Sequence, residues 1–152
     1  MFTHSQLMKF CTEIFLSLKM DNEKAHDTSE ILIEADMMKH STHGVRLLPL
    51  YIKDIELGNM KVNGQEKVLK DTGSCLTWDG KLLPGTWLTK KALKTAAERA
   101  QKFGVATVSI SNSHHNGALA AYMLPIVNKG LIPIIKSSVP STATVAPFGG
   151  TK

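Results

Sequence analysis

Residues 93–135, LKTAAERAQKFGVATVSISNSHHNGALAAYMLPIVNKGLIPII, decide the fold class. Leu93, Ala96, Ala97, Ala100 and Phe103 recur at helical spacing up to Gly104, which predicts a helix ending there. The β-branched run Val105–Ile110 then predicts a short buried strand. After the loop SNSHHNG, residues 111–117, the small residues from Ala118 to Asn128 predict a second helix stopped by Gly130. Leu131–Ile135 predicts a second strand. This alternation, established from Thr89 onward, predicts an α/β layer with at least partly parallel strands.

The chain before this stretch reads as helices. Thr3 can cap a first helix with Gln6 at the capping-box position, and Phe2 can pack against Leu7. Leu7, Phe10, Cys11, Ile14, Phe15 and Leu18 form its apolar face, with Lys9, Glu13 and Ser17 turned outward. Asp21 is placed to cap a second helix, with Ala25, Ile31, Leu32, Ala35 and Met38 on its inner side and its end near His40. A third helix is expected from His43 or Gly44 to Leu57, closed by Gly58. Turn signals crowd residues 59–87 (Asn63-Gly64, Asp71-Thr72-Gly73, Asp79-Gly80, Pro84-Gly85), leaving room for short strands at Lys67–Leu69 and Cys75–Trp78. We expect a helical domain over residues 1–75 and an α/β domain over residues 76–152. The final VAPFGGTK is turn-rich, and a sheet begun this way needs more strands, so the α/β domain is expected to be incomplete.

Composition narrows the function. The chain has 152 residues, 43% hydrophobic and 20% charged, with a formal net charge of +5. Its lysines are scattered and do not alternate with aromatics, so no nucleic-acid partner is expected. No stretch approaches the roughly 18 apolar residues of a membrane span. The apolar N-terminus lacks a basic flank and a small-residue cleavage site. Cys11 and Cys75 stand far apart and suit free thiols in a reducing cytoplasm.

Two loops carry the chemistry. In His40-Ser41-Thr42-His43-Gly44-Val45-Arg46, an imidazole able to exchange a proton near neutral pH lies beside a hydroxyl and a guanidinium that can orient a carboxylate. The alternative is that His43 and Arg46 are solvated residues at a helix start. In Ser111-Asn112-Ser113-His114-His115-Asn116-Gly117, two imidazoles lie where a strand gives way to a helix, the usual ligand position in α/β layers. Neighbouring residues of an extended segment point to opposite sides, so one of the two histidines is expected to face a ligand. A polar surface loop is the alternative here. Zinc is a weaker reading. His40 and His43 are three apart, and no cysteine or carboxylate pair completes a ligand set. No G-x-G-x-x-G follows a strand, so an ordinary dinucleotide fingerprint is absent.

At these residues the chain resembles the malate/L-lactate dehydrogenase family, whose nicotinamide-binding fold is not the Rossmann fold. ADMMKHSTHGVRLLPLYIKDIELG (35–58) is similar to its acidic residue followed by S-H-G-V-x-R-L-P-x-Y and a helix ending in glycine. VSISNSHHNGALAAYM (108–123) resembles its N-S-x-H-x-G-A loop, and GLIPIIKSSVPSTATVAPFGG (130–150) its strand and V-A-P-[WF]-G-G turn. The resemblance implies the N-terminal part of a homodimeric enzyme using NAD or NADP. Hydride would pass between the nicotinamide and C2 of a small 2-hydroxy or 2-oxo acid, with His43 or His115 exchanging the proton. It further implies Thr42 and Arg46 as substrate-binding residues and Ser141 as a cofactor contact. One departure is visible: the family's arginine stands four residues after the first histidine, where this chain has Leu47, and Arg46 comes one position early. A rival expectation is a non-catalytic remnant of such an enzyme that folds or associates only with a partner.

Overall fold

The computed structural model describes residues 2–138. Helix α1, His4–Ser17, starts as its cap signals predict. Thr3 Oγ1 accepts from the Gln6 amide at 3.2 Å, and Gln6 Oε1 accepts from the Thr3 amide at 2.9 Å. Cys11 and Phe15 are buried on its inner face, whereas Phe2 and Phe10 are exposed. Helix α2, Asn22–Met37, ends slightly before the expected His40. Asp21 precedes it without making a side-chain cap; its carboxylate instead binds Lys24 Nζ at 2.6 Å. More of α2 is buried than one apolar stripe accounts for, because it packs against α1 on one side and the helix over Gly85–Phe103 on the other.

The third helix begins later than expected. Residues 41–43 and 45–47 form two 3-10 turns, and helix α3 spans Leu48–Glu56 with Pro49 in its first turn. Two observations explain the delay. The Asp36 carboxylate accepts from the Val45 amide at 2.8 Å, and Gly44 is extended at φ −90°, ψ −156°. A Cβ on Gly44 would lie 1.9 Å from Asp36 Oδ1, so only glycine lets this segment run so close to α2.

Strands β1, Lys67–Asp71, and β2, Cys75–Asp79, pair antiparallel, and β2 pairs parallel with β3, Thr107–Ser111, in the order β1-β2-β3. The mixed sheet thus holds one parallel pair, but β3 makes it with β2 and not with residues 131–135, whose alternation with the helices led to the expectation. The crossover between β2 and β3 is helix α4, Gly85–Phe103. Pro84-Gly85, a turn signal by type, is the start of this helix.

Three expectations for the last part fail. Strand β3 is half-buried, not buried: Val108 and Ile110 face α4 with Leu76, Trp78 and Ala92, while Thr107, Ser109 and Ser111 are exposed. The helix from Ala118 to Asn128 is a 3-10 turn over Leu119–Tyr122 followed by a short helix α5, Met123–Val127. Residues 131–135 form no strand, and Ile132 and Ile134 are 91% and 78% exposed. Pro133 lacks the amide that a central strand would donate at that position. The VAPFGG turn and Ser141 lie outside the described residues.

Candidate functional site

The loop after β3 is fixed to the segment after β2 by backbone hydrogen bonds. The Gly80, Leu82 and His114 amides donate to Ser111, Asn112 and Leu83 carbonyls at 2.7, 2.7 and 3.0 Å. Gly85 completes the attachment. A Cβ there would lie 2.1 Å from the His114 carbonyl oxygen, so α4's first turn touches the histidine loop through a bare backbone.

Thus anchored, the loop presents both histidines to α3. Tyr51 and Asp54 lie three residues apart on that helix and so share one of its faces. The His114 Nε2 to Asp54 Oδ2 distance is 3.0 Å, and the Tyr51 hydroxyl lies 2.8 Å from His115 Nδ1. The Tyr51 ring stands edge-on to both imidazoles, with centroids 5.2 Å from His114 and 6.0 Å from His115. The two neighbours therefore diverge in partners while both reaching the same helix. His114 is clamped by a carboxylate, and His115 is held through Nδ1, with no hydrogen bond to Nε2 among the described residues.

The first loop joins them. His43, distant in sequence, stacks on His115 with centroids 5.6 Å apart and planes 27° apart. Thr42 Oγ1 lies 3.0 Å from His43 Nδ1. Of the five residues expected at the site, His43, His115 and Thr42 are thus brought into one contiguous group. Arg46 is not joined to it by any hydrogen bond or ion pair among the described residues, and its side chain is exposed. Leu47, in the register where the resemblance expects arginine, is partly buried against the helical core. Ser141 lies outside the described residues. Tyr51 and Asp54 were not among the expected site residues. Tyr51 does fall on the final tyrosine of the S-H-G-V-x-R-L-P-x-Y pattern, whereas Asp54 carries no sequence signal beyond its three-residue spacing from Tyr51.

Electrostatics separates the groups. Burial, with His43 and His114 adding to it, holds the His115 imidazole below its ordinary pKa. Burial, reinforced by the Asp54 charge, pushes the Tyr51 hydroxyl far above its usual value. Burial alone would raise Asp54, but hydrogen bonds from His114 and Asn59 together with the His114 and Lys53 charges hold its carboxyl below the usual range. The group therefore combines an imidazole biased to neutrality, a phenol that keeps its proton and an anion one helical turn away. Elsewhere, His26, Asp27 and Glu30 have the spacing of metal ligands, but the Lys90 ammonium already bridges the two carboxylates.

The profile of the malate/L-lactate dehydrogenase family matches residues 2–152. The chain is 31% identical over 147 residues to a malate dehydrogenase of Pyrococcus abyssi, covering 97% of this chain and 40% of that protein. It is 28% identical over 149 residues to hydroxycarboxylate dehydrogenase B of Escherichia coli K12, covering 98% of this chain and 41% of that one. Among solved structures, malate dehydrogenase from Entamoeba histolytica superposes with a TM-score of 0.80 at 27% identity, over 83% of this chain and 35% of that chain. Sulfolactate dehydrogenase from Methanocaldococcus jannaschii gives 0.78 at 27%, over 81% and 36%. The chain thus spans about two fifths of the length of the curated relatives it matches. Sequence and fold agree: this chain belongs to the malate/L-lactate dehydrogenase family.

Proposed function

We propose that the chain takes part in NAD- or NADP-linked interconversion of a small 2-hydroxy acid and its 2-oxo acid, with His115 exchanging the proton. The observation that carries this reading is the meeting of His43 and His115 at 5.6 Å, with Nδ1 of His115 held by Tyr51. When bound, a nicotinamide cofactor supplies or takes the hydride at C2. The chain's residues handle the proton. In the oxidising direction, Nε2 of His115 takes the proton of the 2-hydroxyl; in the reducing direction it returns that proton to the carbonyl oxygen. An imidazole with one nitrogen engaged and the other unbonded fits this need. His43 lies against it and restrains its charging, while Thr42 and Arg46 are assigned to the substrate carboxylate. For the cofactor, Ser141 is the assigned contact. A homodimer in a reducing cytoplasm completes the reading, and the free thiols of Cys11 and Cys75 suit that compartment.

The test is direct. The chain is titrated with NADH and NADPH by fluorescence, then assayed with L-malate, L-lactate and sulfolactate. Saturable binding of one cofactor is expected. A positioned acid or base contributes typically 10²–10⁴-fold, so His115→Ala should cut turnover by about that factor and leave cofactor binding intact. No saturation at millimolar cofactor, or unchanged turnover in His115→Ala, overturns the reading.

A further inference from the structure

A cleft of about 660 Å³ runs between α2, α4 and α5, and no member of the histidine group lines it. Its α2 wall carries Glu23, Asp27, Glu30, Glu34 and Met38. These follow one another at three- and four-residue steps, so they form one stripe of the helix, about 22 Å long at 1.5 Å per residue. Opposite stand Lys90, Lys91 and Lys94 of α4, with Lys129 following α5. Between the charged walls the floor is apolar, with Ile31, Leu93, Tyr122 and Ile126. This floor is fixed. Ile31 and Tyr122 belong to one buried cluster, and the Tyr122 hydroxyl donates to the Asn116 carbonyl. The wall charge is only partly neutralised within the chain. Lys90 binds Asp27 and Glu30, and Lys91 binds Glu66. Glu23 and Glu34 on one wall, and Lys94 and Lys129 on the other, have no ion pair among the described residues.

We propose that this cleft docks an amphipathic helix of a partner polypeptide, its basic edge on Glu23 and Glu34 and its acidic edge on Lys94 and Lys129. The unspent charges define that occupant. A helix laid between the walls meets the floor with apolar residues at i, i+3, i+4 and i+7, and each of its edges faces a wall of opposite sign. About fifteen residues match the length of the α2 stripe. A small molecule does not, because Glu23 and Glu34 lie eleven residues apart on α2, about 16 Å. Nor does the same cleft of a second copy, since two concave faces meet at their rims and leave a void that close packing disfavours. None of these residues is assigned to proton, substrate or cofactor, so the proposal stands apart from the dehydrogenase reading.

The experiment is a fluorescence-anisotropy titration of a labelled synthetic peptide with the whole 152-residue chain. The peptide, about fifteen residues long, carries a leucine stripe at helical spacing, lysines along one edge and glutamates along the other. A second peptide has the same composition with the stripe scrambled. Saturation is expected with the first alone, and its amide shifts in ¹⁵N–¹H spectra should fall on α2, α4 and α5. Glu23→Lys with Glu34→Lys should weaken binding roughly tenfold, and Lys94→Glu with Lys129→Glu by a similar factor. Each pair of reversals replaces two surface ion pairs by like-charge contacts. All four reversals together should restore binding, because the exchanged walls accept the same helix in the opposite direction. Damage to the fold is not repaired in that way. No saturation, equal binding of the scrambled peptide, shifts confined to other elements, or affinity unmoved by either pair of reversals overturns the proposal. So does a four-fold variant that keeps wild-type ellipticity without regaining affinity. A concentration-dependent dimer that Lys94→Glu with Lys129→Glu dissolves also overturns it, for the occupant is then a second copy.

Discussion

At the scale of single residues, His115 links the site to stability. Its folded-state pKa lies below the ordinary 6.5, so the unfolded chain binds the proton more readily than the native one. Its contribution is therefore fully present above about pH 6.5 and is lost as pH falls from there toward the lowered native value. Urea midpoints measured from pH 8 to pH 5 should fall in the wild type, and this part of the fall should vanish in His115→Gln. An equal slope in the variant would assign the pH dependence to other groups. Arg46 makes the opposite case. Being exposed and without an ion pair among the described residues, it can be replaced by alanine at a cost within about 0.5 kcal/mol. Arg46→Ala should nevertheless weaken binding of a 2-hydroxy acid, seen by calorimetry, if its guanidinium takes the carboxylate. The two histidine loops were legible because imidazole, hydroxyl and glycine cluster there in a pattern with few structural reasons. Tyr51 and Asp54 were not, since a tyrosine and an aspartate inside PLYIKDIE read as one core residue and one solvated charge. Only the arrival of a loop some sixty residues away gives them their histidine partners.

Among elements, starts were legible where a cap announces them and illegible where a distant contact sets them. Thr3 and Gln6 fix the beginning of α1 locally. The late start of α3 depends on Asp36, and the first turn of α4 lies against the His114 carbonyl; no local pattern contains either contact. Pro84-Gly85 is the clearest example. As a dipeptide it signals a turn; in the fold it opens a helix at the one residue type the loop opposite can tolerate. Gly85→Ala puts a Cβ 2.1 Å from a backbone oxygen, which no rotamer change relieves. Overpacking of this kind costs about 1–3 kcal/mol, so the urea midpoint should drop. Because the loop must shift, the His43–His115 contact should loosen in the same variant, read as ¹⁵N shift changes at both rings. A midpoint equal to the wild type's would show that the helix start yields instead.

For the whole molecule, α2 determines whether the helical part and the α/β part behave as one. We propose that the division near residue 75 separates two cores but not two cooperative units. On one side Leu32 and Ile33 pack with Cys11, Phe15 and Tyr51. On the other, Ile31 and Ala35 pack with Ala118, Ala121 and Tyr122. Thr28 and Thr86 share a buried hydrogen bond of 2.8 Å between α2 and α4, and Lys24 Nζ lies 4.3 Å from the Trp87 ring centroid. A helix that closes both cores cannot leave one without exposing the other. The chain's two tryptophans, Trp78 and Trp87, both lie in the second part, while α1, α2 and α3 supply much of the helical signal. Tryptophan fluorescence and far-ultraviolet ellipticity therefore report on different parts, and two-state unfolding requires their urea transitions to coincide. Thr28→Val leaves the Thr86 hydroxyl buried without its partner, at a cost of about 1–3 kcal/mol. Both transitions should move down together by the same amount. If only the fluorescence transition moves, or if the two separate in the wild type, the parts unfold independently and α2 belongs to the first alone.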